Sequence, residues 1–189
     1  MKLVFKKILE HAIPFLSTRN NEIHTKAAMQ FAFDILEKEN GNEDVVIPAI
    51  ILHDVGWSTI SEDMQRKAYG PGSDPKLNRK HELEGVRIAK EILKKVGYDS
   101  RLSEEILSII DGHDSKWTSD NLNEKIVKDA DKLWRYSYKG IRLNMKSFNE
   151  SNVDIVKRND SMIAKWFFTE TAKQIARKEL DNRIREFKI

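Results

Sequence analysis

Cysteine is absent from the 189 residues. That excludes disulfide frameworks and thiolate metal sites, and it fits a reducing compartment. Glycine and proline are scarce, at 8 and 4 residues, fewer than a turn-dense sheet protein would use. Long hydrophobic runs are also missing. The stretch from Met1 to Leu9 is broken by Lys2, Lys6 and Lys7, so it does not read as a secretory signal, and no window approaches a membrane span. A cytoplasmic protein without membrane contact is expected. Neither sign of charge dominates. Lys and Arg number 33 and Asp and Glu 30, a net charge of +3, which is too even to argue for nucleic acid. There is no glycine-rich phosphate loop, dinucleotide fingerprint, internal repeat or linker.

What remains is 40% hydrophobic and 33% charged residues, repeatedly arranged at helical spacing. The expectation is an all-α protein, one helical bundle over residues 1–189. Residues 2–16 read as a helix ended by Pro14 and Ser17-Thr18. Residues 21–40 read as a helix with Ile23, Ala27, Phe31 and Ile35 every fourth position, the stripe widened by Ala28, Ala32 and Leu36, capped by Asn20 or Asn21 and closed by Gly41. Residues 43–55, apolar from Val45 to Leu52, suit a short buried helix with Pro48 near its start; a strand would have no sheet to join. Helices are expected over 81–96, 99–111 and 123–138. Residues 57–80 hold most of the turn chemistry, including Tyr69 to Pro75, and Arg66, Lys67, Lys76, Arg79 and Lys80 there could meet an anion. Lys139 to Arg158 reads as irregular, and 160–187 as one long terminal helix packed on the core.

Against this background the histidines stand out. His53 and Asp54 end the apolar run, just before Gly56. A buried carboxylate needs a cation or hydrogen-bond donors. His24 lies in the first turn of its expected helix, His81 at the opening of another, and His113 just past the end of a third. Asp129 and Asp131 flank the apolar face of the 123–138 helix, and periodicity does not choose between them. Asp114 could ligate, orient His113, or be solvated. His11 is given no role. Imidazole with carboxylate is the ligand set of borderline and harder divalent cations. Six such groups exceed the need of one tetrahedral ion.

The ordered set His24, His53-Asp54 in LHDVGW, His81 in KHELEGVRIA, His113 in IIDGHD and Asp131 in KDADKL resembles the HD-domain metal-dependent phosphohydrolase superfamily, in its branch with extra histidines and two metals. The resemblance runs from about Asn20 to about Ser137, leaving 139–189 as a C-terminal extension. It implies the HD-type helical bundle and selects Asp131 over Asp129. It assigns His24, His53, Asp54, His81, His113 and Asp131 as metal ligands, with Asp54 as the bridge and His53 and Asp54 at the catalytic centre. One or two divalent ions are implied: iron, manganese, nickel, cobalt or zinc. The Gly-Tyr-Pro phosphodiesterases carry adjacent histidines where this chain has His113-Asp114, and a Glu where it has Asn20, which weakens a cyclic-dinucleotide reading. The implied activity is hydrolysis of a nucleotide or other small phosphorylated metabolite by metal-activated water. Two alternatives stay open: a di-iron oxygenase of the same fold, and a non-catalytic metal or nucleotide sensor. A homo-oligomer is equally open.

Overall fold

The structure, a computed structural model, describes residues 1–18, 20–68, 74–148 and 151–189. The protein is all-α, with no strand among these residues. Its helices are α1 (Leu3–Leu16), α2 (Asn21–Leu36), α3 (Glu43–Leu52), the short α4 (Glu62–Gln65), α5 (Pro75–Lys95), α6 (Ser100–Ile110), α7 (Leu122–Leu133), α8 (Tyr138–Phe148), α9 (Asn152–Trp166) and α10 (Glu170–Phe187). No helix among the described residues is long and apolar enough to cross a membrane.

The centre of the bundle is α3. Every residue from Val45 to Leu52 is buried, so the helix is apolar on all sides, as a fully enclosed helix must be. Helices α1, α2, α6 and α7 surround it. Its start is fixed by the Asn42 side chain, which accepts from the Asp44 N–H at 3.0 Å, with Glu43 and Asp44 favourably placed in the first turn. Pro48 lies inside the helix and lacks the N–H that would reach the Asp44 carbonyl. The Tyr98 hydroxyl donates to that carbonyl instead, at 2.6 Å, so the acceptor freed by proline is satisfied from another helix connection.

Other ends are set by their caps. Asp74 accepts from Lys76 N–H ahead of Pro75, Asp99 from Arg101 and Leu102, Asn121 from Glu124, and Thr169 from Ala172. Several boundaries therefore differ from those expected. Pro14 sits within α1, which continues to Leu16. Helix α2 stops at Leu36, well before Gly41, and its buried stripe is His24, Ala28, Ala32 and Ile35, while Ile23 stays 40% exposed. Helix α5 starts at the Asp74–Pro75 cap, so His81 lies well inside it rather than opening it. The segment expected to be irregular, 139–158, contains α8 and the start of α9. The expected terminal helix is divided at Phe167–Thr169 into α9 and α10.

Part of the 57–80 segment is ordered by one buried amide. Gln65 donates to the carbonyls of Trp57 and Ile60 and accepts from the Thr18 hydroxyl. The turn residues 69–73 and the Arg66 side chain lie outside the described residues. A 3-10 turn at Val55–Thr59 packs closely on α5. Gly56 makes this approach: a Cβ there would lie 1.9 Å from the His81 carbonyl oxygen and 2.5 Å from the Gly85 nitrogen. Both are backbone atoms and cannot swing aside. Gly56→Ala is therefore expected to push α5 away, costing about 2 kcal/mol or more and lowering Tm by roughly 5 °C. A thermal melt checks this, and an unchanged Tm would refute the contact.

Candidate metal centre

The six side chains that the resemblance assigns as metal ligands converge at the end of α3. His53 ends that helix and Asp54 follows it. His24 comes from the first turn of α2, Asp131 from α7, His81 from α5, and His113 from the turn after α6. All are buried, at 0–8% exposure. They form two groups. In the first, His24 Nε2 lies 2.9 Å from His53 Nε2, 3.2 Å from Asp131 Oδ1 and 3.5 Å from Asp54 Oδ2. His53 Nε2 is 3.6 Å from each of the same two oxygens. In the second, His81 and His113 bring their Nε2 atoms to 3.2 Å, with Asp54 Oδ1 at 3.9 and 3.8 Å. Asp114 Oδ2 joins them at 3.6 and 3.9 Å. Asp54 thus turns one oxygen to each group.

These spacings fit cations. Ligands about 2.1 Å from a common ion sit roughly 3.0–3.4 Å apart along octahedral or tetrahedral edges. The first group matches closely and the second is a few tenths of an ångström wider. The donor chemistry agrees. A carbonyl oxygen can only accept, so the Nδ1 atoms of His53 and His113, 2.8 and 2.9 Å from the carbonyls of Ile50 and Ile110, carry protons. That turns both Nε2 atoms to the centre, where each ring once neutral would offer a lone pair to a cation. His24 and His81 have buried Nδ1 atoms without a hydrogen-bond partner, and aromatic contacts set their rings. Trp134 meets His24 edge-on at 5.0 Å. Trp57 stacks on His81 at 4.1 Å and donates its indole N–H to Asp54 Oδ1 at 3.1 Å.

Electrostatics follow from the same packing. Burial alone would raise Asp54 and Asp131. The imidazoles outweigh it, His53 foremost for Asp54 and His24 with His53 for Asp131, and hold both well below the ordinary carboxylate range. Burial works against charge on His53 and His113 too, but Asp54 and Asp131 raise the first, and Asp54 with Asp114 push the second up to about 10. Burial and the adjoining His113 charge lower His81 to about 4. Of this pair, His113 is the ring that favours its proton and His81 the one that stays neutral.

The surroundings contain residues that sequence reasoning missed. Glu82, fully buried, accepts from the N–H groups of Asp114 and Ser115 and from the Ser115 hydroxyl at 2.7–2.9 Å, and so holds the turn bearing His113 and Asp114. Buried Lys128 donates to the carbonyls of Lys116 and Thr118 and pairs with Glu124 at 2.9 Å. A cavity of about 200 Å³ opens beside His113 and Asp114, with Lys132, Arg135, Lys165, Trp117, Trp166 and Phe168 in its wall. Burial lowers Lys132 below the ordinary lysine range, against the raising effect of Asp131 and Asp114. The signal passed over is the spacing of Lys128, Lys132 and Arg135 at i, i+4 and i+7, a stripe that begins on α7 and ends in the 3-10 turn Trp134–Tyr136 after it. Of the cations expected on 57–80, Arg79 is engaged by Glu82 and Asp111, while Lys67, Lys76 and Lys80 are exposed.

Asp129 and Asp131 divide their work. Asp131 faces the histidines. Asp129 accepts from the N–H groups of Phe168 and Thr169 and from the Thr169 hydroxyl, at 2.8, 2.8 and 2.7 Å. It thereby fixes the break between α9 and α10.

A helical bundle that gathers buried imidazoles and carboxylates into groups able to hold a metal ion defines a class of metal-binding helical domain. The family model described as the HD domain matches residues 21–136, more than half of the chain. The chain belongs to the HD domain family, which includes metal-dependent phosphohydrolases. No curated protein and no solved structure matches it.

Because the cation-free centre retains a proton on His113 up to about pH 10, a divalent cation must displace that proton. Apparent affinity is expected to rise about tenfold per pH unit for each proton displaced, between the ordinary imidazole range and that limit. Calorimetric titration with manganese or nickel in buffers of different ionisation heat counts the protons. Release of none would contradict the assignment.

Proposed function

We propose that this protein is a metal-dependent phosphohydrolase acting on a nucleotide or another small phosphorylated metabolite. The observation that carries the reading is the Asp54 carboxylate, which turns its two oxygens to two separate histidine groups. His24, His53 and Asp131 would complete one cation site, and His81 and His113 the other, with Asp114 beside them. A divalent cation so held lowers the pKa of a water molecule bound to it and offsets charge on a phosphoryl oxygen.

The chain's own residues supply the rest. Asp54 and Asp131, held ionised, offset cation charge at neutral pH. Trp57 orients both His81 and Asp54. Glu82 keeps the His113–Asp114 turn in register. The basic wall of the neighbouring cavity favours an anionic ester approaching from that side, and Lys132 stands closest in sequence to the centre.

Activity should require an added divalent ion and disappear with a chelator in a phosphate-release screen over nucleotides and sugar phosphates. Asp54→Asn keeps the shape but removes the shared charge, and is expected to reduce turnover by about 1,000-fold or more, the several kcal/mol that metal electrostatics supply. His81→Ala is expected to halve the metal content, from two ions per chain to one. A wild type that releases no phosphate but consumes oxygen when loaded with iron would replace this reading with the oxygenase one. Normal metal content with no turnover of either kind would favour a sensor.

A further inference from the structure

The cavity beside the centre has walls from two sources. Helix α7, the 3-10 turn that follows it and the turn after α6 supply Lys132, Arg135 and Trp117 respectively, and the stretch spanning the end of α9 supplies Lys165, Trp166 and Phe168. This second source lies beyond the family-matched residues 21–136. Asp129 ties it down, through the three hydrogen bonds from Phe168 and Thr169. One helix thus carries Asp131 toward the histidines and, two residues earlier, the anchor of the cavity's far wall.

The chemistry of the walls is selective. Two neighbouring lysines are paired with carboxylates, Lys116 with Asp120 and Lys128 with Glu124; the other cations of the wall are Lys132, which donates to the Lys128 carbonyl at 3.3 Å, Arg135 and Lys165, and they face the single carboxylate of Asp114. Between them stand flat apolar surfaces. Trp117 is 77% exposed, an indole that a planar partner would remove from water. Trp166 has the Arg135 guanidinium 5.6 Å from its ring centroid, which braces it. Cations alternating with aromatic faces match a phosphate attached to a planar base. A sugar phosphate offers no such face. The volume, about 200 Å³, lies below the roughly 300–1,000 Å³ of sites that enclose larger ligands, and suits one base better than two.

We propose that this cavity is the recognition subsite for the base of a nucleoside monophosphate whose phosphate lies at the His/Asp centre: outside the HD-matched region, Trp166 selects the base and Lys165 attracts the phosphate. The proposal rests on the phosphohydrolase reading for the phosphate's position only. Asp129 is a positioning residue: it touches no ligand and acts through the 167–169 turn.

The test is a tryptophan-fluorescence titration of the metal-free protein with adenosine 5′-monophosphate and, in parallel, ribose 5-phosphate, which keeps the phosphate and lacks the base. The nucleotide is expected to bind at least about tenfold more tightly than the sugar phosphate; Trp166→Ala should remove about tenfold from the nucleotide and leave the sugar phosphate within about twofold. Lys165→Ala should weaken both ligands alike. Should Trp166→Ala fail to fold, Trp117→Ala, whose indole is exposed, gives the same readout. Equal affinities in the wild type, or an unchanged nucleotide affinity in the tryptophan variants, would overturn the proposal. Base-selective binding without phosphate release would uphold the subsite and remove the hydrolase reading. Phosphate release without base preference would do the reverse.

Discussion

Four imidazoles and three carboxylates share one end of an apolar helix, with acceptor atoms 2.9–3.9 Å apart. Lone pairs packed so closely away from water repel one another unless positive charge lies among them. In the cation-free protein the proton on His113 contributes it, and in the loaded protein a metal would. The rest of the fold reads as provision for that concentration of donors. α3 brings His53 and Asp54 to the edge of the core, Gly56 lets α5 close to backbone contact so that His81 arrives opposite, and Glu82 turns the chain after α6 so that His113 and Asp114 complete the ring.

Helix α7 joins this centre to the C-terminal region. Its apolar face, Ile126, Val127, Ala130 and Leu133, is fully buried. Asp131 leaves one edge of that face toward the histidines. Asp129 leaves the other edge toward the α9–α10 break, where burial pushes it up to about 6 against the lowering effect of its three donors. Two carboxylates in one turn therefore do different work because they face different partners, metal-competent nitrogens in one case and backbone N–H groups in the other.

Much of this was legible in the sequence, for identifiable reasons. The apolar run before His53 marked the central helix, and the ordered His, His-Asp, His, His, Asp set marked the family: the resemblance from Asn20 to Ser137 and the matched region 21–136 agree to within a residue at each end. What was not legible depended on contacts between distant segments. Pro75 extended α5 backward because Asp74 caps it. The α9–α10 break could not be seen because Phe167 and Phe168 continue the apolar rhythm; only Asp129, some forty residues earlier, ends it. In α2 the expected stripe held Ala28, Ala32 and Ile35, which are buried, but Ile23 at its start stays exposed and His24 takes the buried place in the first turn. The cations expected to meet an anion were those of residues 57–80, whereas the cavity wall draws its charge from Lys132, Arg135 and Lys165.

The proline in α3 has a consequence for how the molecule comes apart. With no amide to receive it, the Asp44 carbonyl is tethered by Tyr98, 54 positions downstream. The segment between them contains His53, Asp54, Gly56 and His81. Fraying of the central helix at its N-terminal end must release that tether, and the Gly56 contact links the same helix to α5. Local opening on this side is thereby suppressed in favour of a single cooperative unit, so amide exchange of α3 and α5 should follow one common protection free energy, and the donor cluster persists or dissolves as a whole.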